Sequence, residues 1–464
     1  MRKIWVGIGL LVWVTGLLGA VPAAPVVQQS PRNLIWVIGD GMGPELMGFW
    51  MQGVRQGAIS GYPQRTSALE QLLVSGSQGI FFTDTASTVV TDSAAAATQM
   101  ATGVRSLPGY IGVDADGRSV PTLLEIAKQH GKAVGIISDT YVTDATPAGF
   151  TAHTASRRHK MEIARQQLAL EPEVILGGGL KYFSTGENKD LLKQARQQGY
   201  QTVFDKKALQ KVRGGKVLGL FDKKAMPMSV EMPLHPNLPS LALQTQKALE
   251  ILEDSAHGFV LLVEAGKIDW AAHENDAGAT LAEMRVLDQV LDVVRTYADT
   301  HPDTLLYLNA DHDTGLGAFT YRVFSREEAL HRSEQGEVLY DGDTSYASFD
   351  TYALLEKQRR SLYSLRKEIT QWPAEKRTRQ RLEKAFSRVL GYPLDMSSFQ
   401  NLQDVSGLFV QLNQKYGIVW ATQTHSSSLL LGVAYGPQQQ LFGGVYHNTD
   451  ILPKIKRAFG WGEN

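Results

Sequence analysis

Leu34-Ile35-Trp36-Val37-Ile38-Gly39-Asp40-Gly41-Met42-Gly43 opens on five consecutive apolar residues and closes on a carboxylate set among glycines. Five residues are too few for an isolated helix, and the lack of polar alternation predicts a strand buried on both faces. Similar short runs recur at 133–137, 259–263, 305–308 and 429–433, and each reads as a buried parallel strand. Amphipathic helices are expected between them. One spans 121–130 and stops at Gly131; another carries Met284, Leu287, Leu291 and Val294 on one stripe. This alternation predicts an α/β fold: a doubly wound, mostly parallel central sheet with helices on both faces. In such sheets ligands bind beyond the carboxyl ends of the strands.

Those ends carry acid. Asp40 follows the first run, Glu264 follows 259–263, and Asp311-His312 follow 305–310. One acidic residue at a strand end is commonly a helix cap. Three strands repeating the pattern point elsewhere, because carboxylates gathered at one sheet edge repel unless cations hold them. Asp269 and His273 are spaced i,i+4, which puts carboxylate and imidazole on one helix face in a zinc-compatible pair. Thr91-Asp92-Ser93-Ala94-Ala95-Ala96-Ala97-Thr98 sets a small hydroxyl at the start of an alanine-rich helix, where an anion is stabilised. Asp92 or Ser93 could equally be a simple cap there. Ser93 has no histidine base in its local sequence, so its activation is expected to come from a metal.

Composition narrows the function classes. The chain has 464 residues with 46 Lys+Arg against 47 Asp+Glu, a formal charge of -1 that supplies no field for a polyanion, and nucleic acid is not an expected partner. With 43% hydrophobic and 20% charged residues it can bury a large core, which excludes disorder. The absence of cysteine removes disulfides, thiol nucleophiles and Cys-ligated zinc, so any metal site must use His and carboxylates. Arg2 and Lys3 precede the uncharged apolar run 4–19, and Val21-Pro22-Ala23 gives small residues at the spacing a signal peptidase reads. Residues 1–24 are therefore read as a signal peptide, since the run is shorter than the roughly 20 residues a spanning helix needs. The mature chain is expected to be periplasmic or secreted, with no membrane span.

Read together, these blocks resemble the alkaline phosphatase family. The resemblance rests on Gly39-Asp40-Gly41-Met42-Gly43, Asp92-Ser93-Ala94, Thr102-Gly103-Val104 with Gly109-Tyr110-Ile111-Gly112-Val113-Asp114, and Asp144-Ala145-Thr146-Pro147. It continues through Ala152-His153 to Ser156-Arg157, Glu264 to His273, Ala310-Asp311-His312 and His425, all in the family's order. It implies one catalytic domain over 25–464 that hydrolyses small phosphomonoesters, releasing inorganic phosphate through a phosphoserine on Ser93, and it implies a homodimer. By the same resemblance Asp269, His273 and His425 would hold one zinc. Asp40, Asp311 and His312 would hold a second, which also activates Ser93. Asp40, Thr146 and Glu264 would hold a magnesium, with Asp144 contributing directly or through water. Arg157 would grip two phosphate oxygens and Asp92 would position its guanidinium. Physical reasoning agrees: two metals about 4 Å apart stabilise attacking and leaving oxygens, and a planar guanidinium suits a bidentate oxyanion.

Two departures stand out. Trp270 occupies a substrate-side position where many members carry Lys or His, while Asp144 is the acidic variant usually found with that Lys. Between His312 and His425 the chain is longer than in compact members, which implies a helical insertion at about 321–416. Its stretch 356–388 holds 11 Lys/Arg against 4 Asp/Glu, a composition expected of a solvated helical face. Tyr363, Ile369, Trp372, Leu382 and Phe386 still need a surface to cover, so a lid or dimer contact is expected there. Two other functions fit the metal-ligand pattern. A phosphodiesterase could use the same two-metal scaffold, although Arg157 argues for the extra charge of a monoester. A non-catalytic metal- or phosphate-binding protein would need the carboxylates and histidines but not Ser93.

Overall fold

The computed structural model describes residues 29–462 apart from 335 and 337, so the signal-peptide reading of residues 1–24 lies outside the described residues. Eight strands follow in chain order: β1 (Asn33–Gly39), β2 (Ser77–Phe82), β3 (Ala133–Tyr141), β4 (Val174–Gly178), β5 (Gln201–Val203), β6 (Val217–Leu220), β7 (Phe259–Ala265) and β8 (Thr304–Asn309). Together with Leu430–Tyr435 and Gly444–His447 they form one ten-stranded sheet. Its order is Gly444–His447, β2, Leu430–Tyr435, β8, β1, β7, β3, β4, β6, β5. β1 lies between β7 and β8 and runs parallel to both, with Ile38 level with Glu264 on one side and Asn309 on the other. This register brings the carboxyl ends of three strands to one line.

The chain is the mostly parallel α/β sheet expected, with one reversal. Leu430–Tyr435 runs antiparallel to β2 and β8, whereas 429–433 was expected to be parallel. The cause is local. His425–Ser426 pairs with Asp313–Thr314 just beyond the carboxyl end of β8, so the next strand starts at that end and must descend. Five strands escape the reading of apolar runs: β2 exposes alternate residues, β5 has three residues, Gly444–His447 is largely exposed, and β4 and β6 carry glycines.

The stripe Met284, Leu287, Leu291 and Val294 is wholly buried on the helix Ala277–Thr300. Helices Asp350–Leu355, Leu362–Thr370, Arg379–Leu390 and Val405–Tyr416 occupy much of 321–416. They share one hydrophobic cluster with the sheet rather than forming a separate core. Asp276, the N-cap of Ala277–Thr300, also accepts from Gln358 Nε2 at 2.7 Å and from the Leu362 amide at 2.6 Å. Ile369, Leu382 and Phe386 are therefore covered by this chain's own helices. Tyr363 stays exposed, with the Lys367 ammonium 4.1 Å from its ring centre.

The helix Leu123–Gln129, slightly shorter than expected, begins with a capping box of Thr122 and Glu125. His153 fastens it: Nδ1–H donates to Gly112 O at 2.6 Å and Nε2 lies 2.9 Å from Glu125 Oε1. The bond to Glu125 holds His153 above its ordinary pKa. A histidine whose folded pKa is raised stabilises the fold fully below its unfolded value of about 6.5, and this stabilisation fades as pH rises through the folded value. His153→Gln is thus expected to cost about 1 kcal/mol at pH 6, after allowance for solvent screening of a partly exposed pair. Denaturant midpoints at pH 6 and pH 9 check this: the gap from wild type should narrow at pH 9.

Candidate active site

Asp40 follows β1, and its amide donates to Ala265 O at 3.2 Å, the last residue of β7. Asp311 and His312 follow β8; Asp311 Oδ1 accepts from the Gly41 amide at 3.1 Å and the His312 amide at 2.9 Å. Gly41 has φ +70°, and a Cβ there would stand 2.8 Å from Thr314 Oγ1 and 2.9 Å from Asp269 Cβ. Only glycine lets these three segments close on one another. Asp269 and His273 share a face of the helix Lys267–His273, which follows β7.

Two donor sets result. Asp269 Oδ1 is 3.3 Å from His273 Nε2 and 3.6 Å from His425 Nε2, and the two imidazole nitrogens are 3.2 Å apart. His312 Nε2 lies 3.3 Å from Asp311 Oδ2 and 3.5 Å from Asp40 Oδ1. The sets abut: the rings of His312 and His425 stack at 3.6 Å. The tautomers follow from the bonds on the far side of each ring. His273 Nδ1–H donates to Gln423 O at 2.7 Å, and His425 Nδ1–H donates to Thr91 O at 3.0 Å. Thr314 Oγ1 donates to Asp269 at 2.6 Å and so accepts from His312 Nδ1–H at 3.3 Å. With the Nδ1 protons so engaged, it is Nε2 of each ring that faces the carboxylates and the neighbouring imidazole, which is how ligating histidines are oriented.

The charges tell the same story. Asp40 Oδ1, Asp311 Oδ2 and Thr146 Oγ1 are buried without a hydrogen-bond partner. Burial, then the charges of Asp311, Asp269 and Glu264, push the Asp40 carboxyl well above its usual range. Burial likewise lifts Asp311 to about 6 and Glu264 to about 8, and lowers both His312 and His425 to about 4. Burial opposes charge on Asp269 and His273 too, but their mutual bond overrides it, holding Asp269 low and lifting His273 to about 9. Orphaned acid oxygens facing imidazole lone pairs are stable together when a cation lies between them, so the donors present fit metal ions.

Ser93 begins the helix Ser93–Thr102, and its Oγ is 3.1 Å from His312 Nε2. Ser93 thus meets the second donor set through His312, from the end of β8, rather than a histidine base in its local sequence. Asp92 is indeed the cap, accepting from the Ala95 amide at 3.0 Å, but its other oxygen takes Arg157 Nη1 at 3.2 Å. Arg157 Nη2 lies 3.5 Å from Asp144 Oδ1. Glu264 is held by Ser138 and, at 3.2 Å, by Thr140. Asp144 Oδ1 accepts from the Ala145 amide at 3.0 Å and from Lys160 Nζ at 2.9 Å. Trp270 joins Met228, Val230, Ala271 and Ala279, with the Lys267 ammonium 3.7 Å from its ring centre and Tyr141 6.2 Å away. Thr314, Ser138 and Lys160 are not among the residues the sequence singles out. Thr314 alone carried a signal, its closeness to His312.

The sequence profile of the family described as Alkaline phosphatase matches residues 31–460. Alkaline phosphatase 3 of Bacillus subtilis is 30% identical over 95% of this chain and 93% of its own length. The crystal structure of Thermus thermophilus alkaline phosphatase superposes with a TM-score of 0.79 at 28% identity, covering 98% of this chain and 97% of that one. A cold-active alkaline phosphatase from a psychrophilic Shewanella gives 0.74 at 28% identity, covering 92% of this chain and 99% of that chain. Matched from β1 to the last helix and carrying strand-end donors around an N-terminal helix serine, this chain belongs to the alkaline phosphatase family.

Proposed function

We propose that the chain hydrolyses small phosphomonoesters through a phosphoserine on Ser93, with two zinc ions and one magnesium ion. The observation that carries this reading is the placement of Ser93 Oγ, 3.1 Å from His312 Nε2 in the second donor set, which abuts the first. Asp269, His273 and His425 would hold one zinc, and Asp40, Asp311 and His312 the other, since imidazole with carboxylate suits zinc. Asp40, Glu264 and Thr146, with Asp144 directly or through water, offer the all-oxygen set that suits magnesium. Bound there, the metals supply positive charge that acidifies hydroxyl groups and neutralises phosphate oxygens.

The chain's own groups do the rest. The helix Ser93–Thr102 turns its positive end toward Ser93 Oγ and so favours an oxyanion there. Arg157, held at one end by Asp92, presents its guanidinium to two non-bridging phosphate oxygens. The Ser93 Oγ–P bond forms as the bond from phosphorus to the leaving alcohol breaks, the hydroxyl proton of Ser93 passing by way of solvent to the departing oxygen. Water then attacks phosphorus, the Oγ–P bond breaks with a proton of that water returning to Oγ, and inorganic phosphate leaves. A monoester carries one more non-bridging charge than a diester, which Arg157 can meet. Comparing turnover of a phosphomonoester and a phosphodiester by purified protein, with and without zinc and magnesium, tests the assignment: metal-dependent monoester preference is expected, and diester preference would overturn it.

Export is supported by Arg2, Lys3 and the apolar run 4–19. Among the described residues no helix is long and apolar enough to cross a membrane. Homodimerisation is supported by an uncovered apolar face at the sheet edge, where Val445 pairs with Ile80 and Ile80 with Leu431. Val445 is 67% exposed and Ile80 39%. Light scattering is expected to give twice the chain mass for wild type and a shift toward monomer for Val445→Glu.

A further inference from the structure

Lys160 is the first residue of the helix Lys160–Leu170 and belongs to none of the donor sets described above. Its Nζ sits 2.9 Å from Asp144 Oδ1, with the rings of Tyr141 and Tyr182 centred 4.7 and 5.9 Å away. The same carboxylate oxygen is 3.5 Å from Arg157 Nη2. Two cations therefore compete for one mostly buried acid, and the ammonium holds the nearer place. At its other end Arg157 meets Asp92, whose charge is already shared with the amides of Ala95 and Gly109. The guanidinium is thus braced at both ends but dominated by neither.

We infer that Lys160 is a positioning residue for phosphate recognition: by satisfying Asp144 it keeps that carboxylate from drawing Arg157 away from the substrate. This rests on the reading that Arg157 grips phosphate. A compact ammonium suits the role because it takes one oxygen as a point charge, whereas a carboxylate left to Arg157 alone would pair with it in the planar forked geometry. Removing one partner of a buried charge leaves the other to seek compensation. In Lys160→Met the cationic side chain left beside Asp144 Oδ1 is Arg157, whose Nη2 would close on that oxygen and turn from the phosphate seat, whatever the carboxylate's other oxygen does toward a metal.

The test measures KM, kcat and the inhibition constant of inorganic phosphate for wild type, Lys160→Met and Lys160→Arg in the metal-replete enzyme. Lys160→Met should raise KM and the phosphate constant about tenfold, the effect of losing one modest charged interaction, while kcat changes much less. Lys160→Arg, which keeps the charge, should restore most of the difference. If Lys160→Met does not fold, Lys160→Gln carries the same comparison. An unchanged phosphate constant, or equal losses in the Met and Arg variants, would overturn the inference. Absence of monoester turnover in wild type would instead overturn the reading of the site itself.

Discussion

Chelation of divalent metals is expected to abolish phosphomonoester hydrolysis, and zinc plus magnesium to restore it. The reason lies in the packing of Asp40, Asp311 and Glu264 at one line of strand ends, with Asp269 on the helix after β7, all nearly fully buried. Without cations the first two and Glu264 are driven toward their protonated forms, and His273, lifted to about 9, takes up a proton where its Nε2 meets Asp269 and, at 3.2 Å, His425 Nε2. A ligand that binds only the folded chain stabilises it by about 4 kcal/mol when present a thousandfold above its dissociation constant. The melting temperature should therefore fall on chelation and recover with activity, which separates loss of structure from loss of chemistry. Full activity in protein shown to be metal-free would contradict the account.

Ser93→Ala is expected to lower turnover by roughly 10³-fold or more, the scale seen when nucleophiles are removed. The substitution deletes one oxygen 3.1 Å from His312 Nε2 and leaves the Asp92 cap in place, since Asp92 accepts from Ala95 rather than from Ser93. Folding should thus be spared, and circular dichroism with melting curves checks that. Some activity is expected to persist, because the donor sets and Arg157 remain to bind phosphate and direct water to it. A variant with near wild-type turnover would remove Ser93 from the chemistry.

Much of the site was legible because a parallel sheet gathers strand ends. Asp40, Glu264 and Asp311-His312 could each be placed from the apolar run before them. Asp269 and His273 could be placed from helical periodicity. Residues whose position depends on irregular chain were not legible in this way. His425 reaches His273 across 152 positions through a two-residue ribbon, and only family resemblance picked it out. Lys160 meets Asp144 because a helix start happens to face the turn after β3, a juxtaposition no periodicity encodes. The surroundings of Trp270 were not legible either: its ring is engaged by Lys267 and a small apolar cluster, since the side chain's direction on a short helix depends on what packs against it. The strand Leu430–Tyr435 is legible in the sequence but its direction is not, because apolar runs report burial on both faces and carry no sign of polarity.

The measurement closest to the central claim is the identity of the phosphorylated residue. Wild-type protein mixed with a labelled phosphomonoester and quenched at low pH should retain phosphate, and peptide mapping should place it on Ser93 within the segment Thr91-Asp92-Ser93-Ala94. In Ser93→Ala the trapped label should disappear. Phosphate recovered on any other residue, or retained unchanged by Ser93→Ala, would contradict the assignment of the nucleophile.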